Sequence, residues 1–241
     1  MNHVPFPKEC GDCLATPFCK AYSGEVKPSS SSFCSGKFRL MYALKLSQIP
    51  IEYFNANLYH YKRNSDNEAV YERLKPHLEN IVASIDKGTN FFFYGGATGT
   101  GKTFHGAMVL NHFIYKTCVT SRMDFETPLG LFVSYPEWVD TLRLRYRGED
   151  DENRQFEHIK QVPLLLLDDV GAGKLSDYAR EQTYMLLNHR CNNRLSTIIT
   201  SNYGLNELSL ADMLGSRSVS RISKNVVGGE LSGTDRRLEA W

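Results

Sequence analysis

The densest chemical signal in the chain is the run Gly96, Ala97, Thr98, Gly99, Thr100, Gly101, Lys102, Thr103. A glycine, four residues and then Gly-Lys-Thr is the pattern of a loop whose backbone N–H groups cradle phosphates. In such a loop the lysine reaches the β and γ oxygens of a nucleoside triphosphate, and the threonine hydroxyl joins the shell of a Mg2+ ion. A second element is the pair Asp168 and Asp169, which directly follows the apolar run Leu164 to Leu167. That run reads as a strand buried on both faces, delivering the two acids at its carboxyl end beside the phosphate loop. Asp168 is expected to join Thr103 in the Mg2+ shell, and Asp169 to polarise an attacking water. A third polar group, Asn202, follows the apolar stretch Leu195 to Thr200. An amide at the tip of a neighbouring strand suits sensing the γ-phosphate or holding the water.

The other cluster able to do chemistry lies near the start, where Cys10, Cys13, Cys19 and Cys34 are separated by two, five and fourteen residues. Four thiolates can surround a metal tetrahedrally, and the binding energy can fold a segment too small to fold alone. Zn2+ is favoured over an iron–sulfur cluster, which takes the same number of thiolates. Free thiols in a tail are the plain alternative, and His3 is a weak substitute for Cys34. Cys118 and Cys191 fall on helix-like segments and read as small packed side chains.

These groups need elements to hold them. Phe91 to Tyr94 reads as the strand entering the phosphate loop, and the residues after Thr103 read as a helix. Upstream, residues 68–85 place Val70, Leu74, Leu78, Ile81, Val82 and Ile85 near helical spacing, with Pro76 marking a start, break or kink. Leu131 to Tyr135 reads as a second strand and Pro136 to Arg147 as a helix, with Arg143 and Arg147 on one face. Those arginines suit DNA phosphates, a neighbouring subunit, or simply solvent. Glu149 to Glu152 reads as a surface loop, 177–194 as a helix, and Leu195 to Thr200 as a strand. Pro28 to Ser32 reads as a loop. From Gly36 to Tyr61 apolar and aromatic residues mix with basic ones. This stretch suits a partner-docking or single-stranded nucleic-acid surface, or helices packed on the main domain.

A length of 241 residues accommodates one sizeable core and an appendage, giving expected units of 1–64, cysteine-rich and partner-docking, and 65–241, the nucleotide-binding domain. With 28 basic and 27 acidic residues, net charge neither demands nor excludes nucleic acid. Neither a membrane-spanning apolar run nor a secretory leader is visible, so the expectation is a cytoplasmic protein without a membrane partner.

The segments at 188–202, Gly215 to Ile222 and Gly233 to Arg237, added to the two nucleotide motifs, resemble the DnaC/DnaI/IstB-like group of AAA+ ATPases over roughly residues 68–241. The resemblance implies an α/β P-loop fold, a central mostly parallel five-stranded sheet flanked by helices. It implies that Asn202 is the first sensor and Arg237 the second. It makes Arg221 the arginine finger reaching a neighbour's ATP, with Arg217 as alternative or support. It also implies hydrolysis of ATP to ADP with Mg2+, self-association through the AAA+ domains, and contact with single-stranded DNA. The expected function is loading of a hexameric replicative helicase. The alternatives are a transposition helper ATPase and a regulatory nucleotide-binding module with little turnover.

Overall fold

Three consecutive phenylalanines can all be buried only in a strand covered on both faces, and Phe91, Phe92 and Phe93 are each at most 2% exposed. The computed structural model describes residue 13 and residues 35–58, 61–120, 127–145, 151–173, 175–233 and 235. Its strands are β1 (Asn90–Tyr94), β2 (Gly130–Ser134), β3 (Leu164–Val170), β4 (Ser196–Ser201) and β5 (Val226–Glu230). They form one five-stranded sheet in the order β2-β3-β4-β1-β5, and every neighbouring pair is parallel. Their carboxyl ends therefore lie along one edge.

Side chains alternate between two apolar layers, as the two-residue period of a strand requires. Phe91, Phe93, Leu164, Leu166 and Ile198 enter one layer, whereas Phe92, Leu165, Leu167 and Ile199 enter the other. The first layer is closed by α1 (Ser35–Leu46), a short 3-10 turn at Ile51–Tyr53, α2 (Glu68–Glu79), α3 (Ile81–Asp86) and α4 (Lys102–Thr120). The second is closed by α5 (Tyr135–Arg145), α6 (Asp151–Gln161), α7 (Asp177–Asn192), α8 (Leu208–Leu214) and α9 (Ser216–Ile222). The helix that starts at the phosphate loop, α4, is apolar nearly all round because the sheet lies on one side and α1 on the other. Gly106 permits its close approach to the sheet: a Cβ there would stand 2.9 Å from Leu166 Cδ1 and 3.3 Å from Thr200 Cγ2.

Residues 35–58 pack directly on this core. Leu40, Ala43, Leu44, Ile49, Phe54 and Ala56 belong to the same apolar cluster as Phe91 and Leu110. Polar ties run across the contact as well. Asn111 Nδ2 donates to the carbonyls of Tyr53 and Ala56 at 2.7 and 3.0 Å, and the edge-strand N–H of Phe132 donates to Ser47 O at 2.8 Å.

Several elements differ from their sequence expectation. The break in 68–85 falls at Asn80, where the backbone leaves helical geometry at φ −120° and ψ 45°, while Pro76 is accommodated inside α2. Tyr135 opens α5 instead of closing β2. Residues 151 and 152, expected in a loop, begin α6. The expected cysteine site falls largely outside the described residues, which include neither Cys10, Cys19 nor Cys34. Cys13 is half-buried and packs against the first apolar layer. Among the described residues, no group of three or more His, Cys, Asp or Glu side chains could hold a metal ion. The cysteine-rich metal module is thus not part of the described fold. Cys118 is a packed side chain: burial pushes its thiol up to about 12, and Sγ donates to Tyr115 O at 3.3 Å.

At the end of the sheet away from the phosphate loop, Arg190 is fully buried, with no ion pair to a carboxylate among the described residues. Its Nε donates to Thr197 Oγ1, and its terminal nitrogens donate to the carbonyls of Ile159, Lys160, Val162 and Ser196. One side chain thereby joins the end of α6, the approach to β3 and the start of β4. No helix among the described residues is long and apolar enough to cross a membrane.

Candidate active site

The loop from Gly95 to Lys102 connects the carboxyl end of β1 to the first turn of α4. Gly99 and Gly101 have φ of +70° and +93°, a region that residues with a Cβ rarely adopt, so glycine at both positions lets the loop curl. Lys102 Nζ donates to Gly95 O at 2.9 Å and Ala97 O at 2.8 Å, which holds the ammonium inside the curl. Thr100 Oγ1 is buried without a hydrogen-bond partner among the described residues. His105, one turn into α4, is fully buried between two polar groups: Nδ1 lies 2.8 Å from Gly101 O and Nε2 lies 2.9 Å from the Tyr61 hydroxyl. The carbonyl only accepts, so Nδ1 donates to Gly101 O, and the Tyr61 hydroxyl meets the ring's other nitrogen.

The two acids come to this loop from β3, and their backbone is not a plain strand. Leu167 pairs with Ile199 and Val170 with Ser201, leaving Asp168 and Asp169 opposite the single residue Thr200. This is a β-bulge, with the extra residue Asp169 in the left-handed region at φ +60°. Consecutive strand residues normally face opposite sides of a sheet, yet Asp168 and Asp169 both line the same cavity, of about 930 Å3. The bulge reconciles the two observations. Asp168 Oδ2 accepts from Thr103 Oγ1 at 3.2 Å, and its Oδ1 accepts from Thr200 Oγ1 at 2.6 Å. Asn202 Nδ2 is 3.5 Å from Asp169 Oδ1, at the long limit of a hydrogen bond.

Burial pushes the Asp168 carboxyl above the ordinary carboxylate range, Asp169 pushes in the same direction, and the Thr200 and Thr103 hydroxyls and Lys102 oppose them. A hydroxyl and a carboxylate oxygen 3.2 Å apart, opening on this cavity, suit Mg2+, which takes one or two protein oxygens and completes its shell with water and phosphates.

Of the residues expected here, Thr98, Gly99, Thr100, Gly101, Lys102, Thr103, Asp168, Asp169 and Asn202 all line the cavity. Gly96 and Ala97 sit at the exposed outer side of the loop. Arg217 is exposed and Arg221 half-buried on α9, which contributes no described residue to the cavity lining. Arg237 lies outside the described residues, whereas the nearby Asp235 reaches the loop, since a Cβ at Gly99 would collide with its carboxylate. Sequence reasoning did not place Glu52, Tyr53, Tyr61 and Lys62 in this cavity, although they line it from the segment ahead of α2. Nor did it single out Thr200. Its one legible signal was a hydroxyl residue two positions before Asn202, on the strand beside the acids.

No protein-family model matches the chain. It is 29% identical over 136 residues to the replicative helicase loader DnaI of Bacillus subtilis (strain 168), covering 55% of this chain and 40% of that protein. It is 28% identical over 128 residues to an ATP-binding protein of insertion sequence IS1162 from Pseudomonas fluorescens, covering 51% of this chain and 50% of that one. The chain thus matches half or less of the length of these curated relatives. The crystal structure of the DnaC helicase loader superposes with a TM-score of 0.61 at 27% identity, covering 76% of this chain and 98% of the chain in that structure.

Proposed function

Since the chain has the AAA+ fold of the DnaC/DnaI/DnaA-like superfamily, we propose that it is an ATPase that loads a hexameric replicative helicase onto single-stranded DNA. ATP binding would assemble subunits and hold the helicase, and hydrolysis would release it. The observation that carries the enzymatic part is the convergence of Lys102, Thr103, Asp168, Asp169 and Asn202 on one cavity from three separate segments. The likeness to DnaI and DnaC supports the choice of a helicase as partner.

In this reading the curled loop offers its N–H groups to the phosphates, and Lys102 exchanges Gly95 O and Ala97 O for phosphate oxygens. Thr103 and Asp168 would hold Mg2+, which would supply charge neutralisation to the phosphates. Asp169 orients water for attack on the γ-phosphorus; the P–O bond to ADP breaks and inorganic phosphate leaves. Asn202, beside Asp169, fixes the orientation of that acid and of the water. Arg221 of an adjoining subunit acts as the arginine finger and Arg237 as the second sensor. If the N-terminal cysteines bind Zn2+, their place is in the partner-docking region and not in this chemistry.

The test is direct reconstitution. Purified protein, Mg2+ and ATP are mixed with a replicative helicase and a closed single-stranded DNA circle, and stable helicase–DNA complexes are counted. The reading expects more complexes with ATP, and none with Lys102→Ala, which also loses nucleotide binding. No increase in complexes, together with stimulation of a transposase on duplex DNA, would replace this reading by the transposition helper, which the IS1162 relative favours.

A further inference from the structure

Two acids on adjacent residues do not share a cavity unless something holds the backbone between them out of register. In β3 that hold converges on one side chain. Thr200 Oγ1 donates to Asp168 Oδ1 at 2.6 Å and accepts from the Asp169 N–H at 2.8 Å. The second contact supplies a partner for an amide that the bulge removes from regular ladder pairing. It also secures a left-handed, non-glycine residue at φ +60°, a conformation that needs support from its surroundings.

Threonine suits this job on both branches of its Cβ. Its methyl faces Gly106 on α4, the position whose missing side chain leaves room for it. With the methyl seated against that helix, rotation about χ1 is restricted and the hydroxyl is presented to β3. Thr200 is almost fully buried, at 1% exposure, so water does not compete for its two hydrogen bonds. The same side chain thus touches the phosphate-loop helix with one branch and both acids of β3 with the other.

We propose that Thr200 is the positioning residue of this site: its hydroxyl sets the bulge that turns Asp168 and Asp169 together toward the metal and the water. It acts through the two acids, which its hydroxyl contacts directly. This rests on the nucleotide reading given above for the metal and water roles, whereas the hold on the bulge stands on the geometry alone.

Thr200→Val keeps the shape and the methyl and removes the hydroxyl; Thr200→Ser keeps the hydroxyl and loses the methyl. Two readouts separate the possibilities. The first is the affinity for a fluorescent ATP analogue in EDTA and again in Mg2+, with kcat and KM measured in parallel. For Thr200→Val the EDTA affinity should stay within about twofold of wild type, while the gain on adding Mg2+ should shrink about tenfold or more, as when an orienting group behind a metal ligand is removed. kcat should fall with it, more than KM rises. Thr200→Ser should retain the Mg2+ gain within about threefold, because the hydroxyl is the acting group.

The second readout is hydrogen exchange at the Asp169 amide without nucleotide, which should accelerate in Thr200→Val and much less in Thr200→Ser. A full Mg2+ gain in Thr200→Val, or an equal loss in both variants, would overturn the proposal. If wild type shows no Mg2+ gain, the nucleotide reading itself fails. Asp169 exchange then decides the remaining claim, and an unchanged rate in Thr200→Val overturns it.

Discussion

At the scale of single residues, Asp168 is held in a state that burial disfavours. Its folded carboxyl titrates above the unfolded one, so between those two values the folded protein binds more protons. Stability therefore falls as pH rises through that window, and the whole penalty is present once the folded carboxyl has lost its proton. Asp168→Asn should remove it, because the amide oxygen can still accept from Thr200 and the amide nitrogen can donate to the Thr103 hydroxyl. Urea unfolding without nucleotide at pH 7 should show Asp168→Asn more stable than wild type by on the order of 1 kcal/mol. The two proteins should converge in acid, below the ordinary carboxylate range, and the variant should lose Mg2+-dependent nucleotide binding. A wild-type advantage at neutral pH would mean that the hydroxyl contacts outweigh desolvation.

Elements show what kind of information a sequence carries about position. The phosphate loop, the run Leu164 to Leu167 and Asn202 were readable because their signals are local: a fixed glycine–lysine spacing, an unbroken apolar run, a polar residue at its tip. Helix α6 was not, since an acidic stretch reads as solvent-facing and gives no sign of the buried stripe of Phe156 and Ile159 that anchors it. The edge strand β5 was equally opaque, because Gly228 and Gly229 suppress the usual strand signature. The bulge at Asp168 and Asp169 depends on pairing with a strand some thirty residues later (Asp169 N to Thr200 Oγ1 spans 31 positions), and no spacing rule within β3 announces it. Arg190 is a similar case: as the last-turn arginine of an ordinary-looking helix it reads as surface charge, yet it is buried and binds main-chain carbonyls of α6, of the approach to β3 and of β4. Arg190→Met should destabilise the protein by about 3 kcal/mol or more in urea unfolding. Arg190→Lys should not rescue it, because an ammonium cannot reach the same fan of acceptors. A loss below about 1 kcal/mol for Arg190→Met would show that water replaces the guanidinium there.

At the scale of the whole molecule, the cavity is lined by three acids, two lysines and an amide, but by no described arginine. If the arginine finger comes from a neighbour, hydrolysis per subunit must rise with protein concentration. Arg221→Ala should bind ATP with unchanged affinity and lose that rise, lowering assembled turnover by about a thousandfold or more. Mixing it with Lys102→Ala protein, which keeps Arg221, should restore part of the activity. Equal turnover of wild type and Arg221→Ala under assembling conditions would remove Arg221 from this role.

The strand order has a further consequence, in the time at which the site comes into being. The phosphate loop hangs from β1, yet β1 is paired with β4 on one side and β5 on the other. Asn90 alone bonds partners 107 and 134 positions further along, at Thr197 and Lys224. On the ribosome, β1 therefore emerges long before either flanking strand exists, and its three phenylalanines must wait for most of the remaining chain to be made. β3 can already pair with β2 while β1 still lacks both neighbours. The newborn chain thus acquires its hold on phosphate among its last folding events, and an interrupted chain ending before β4 would carry the whole glycine-rich motif without a sheet to aim it.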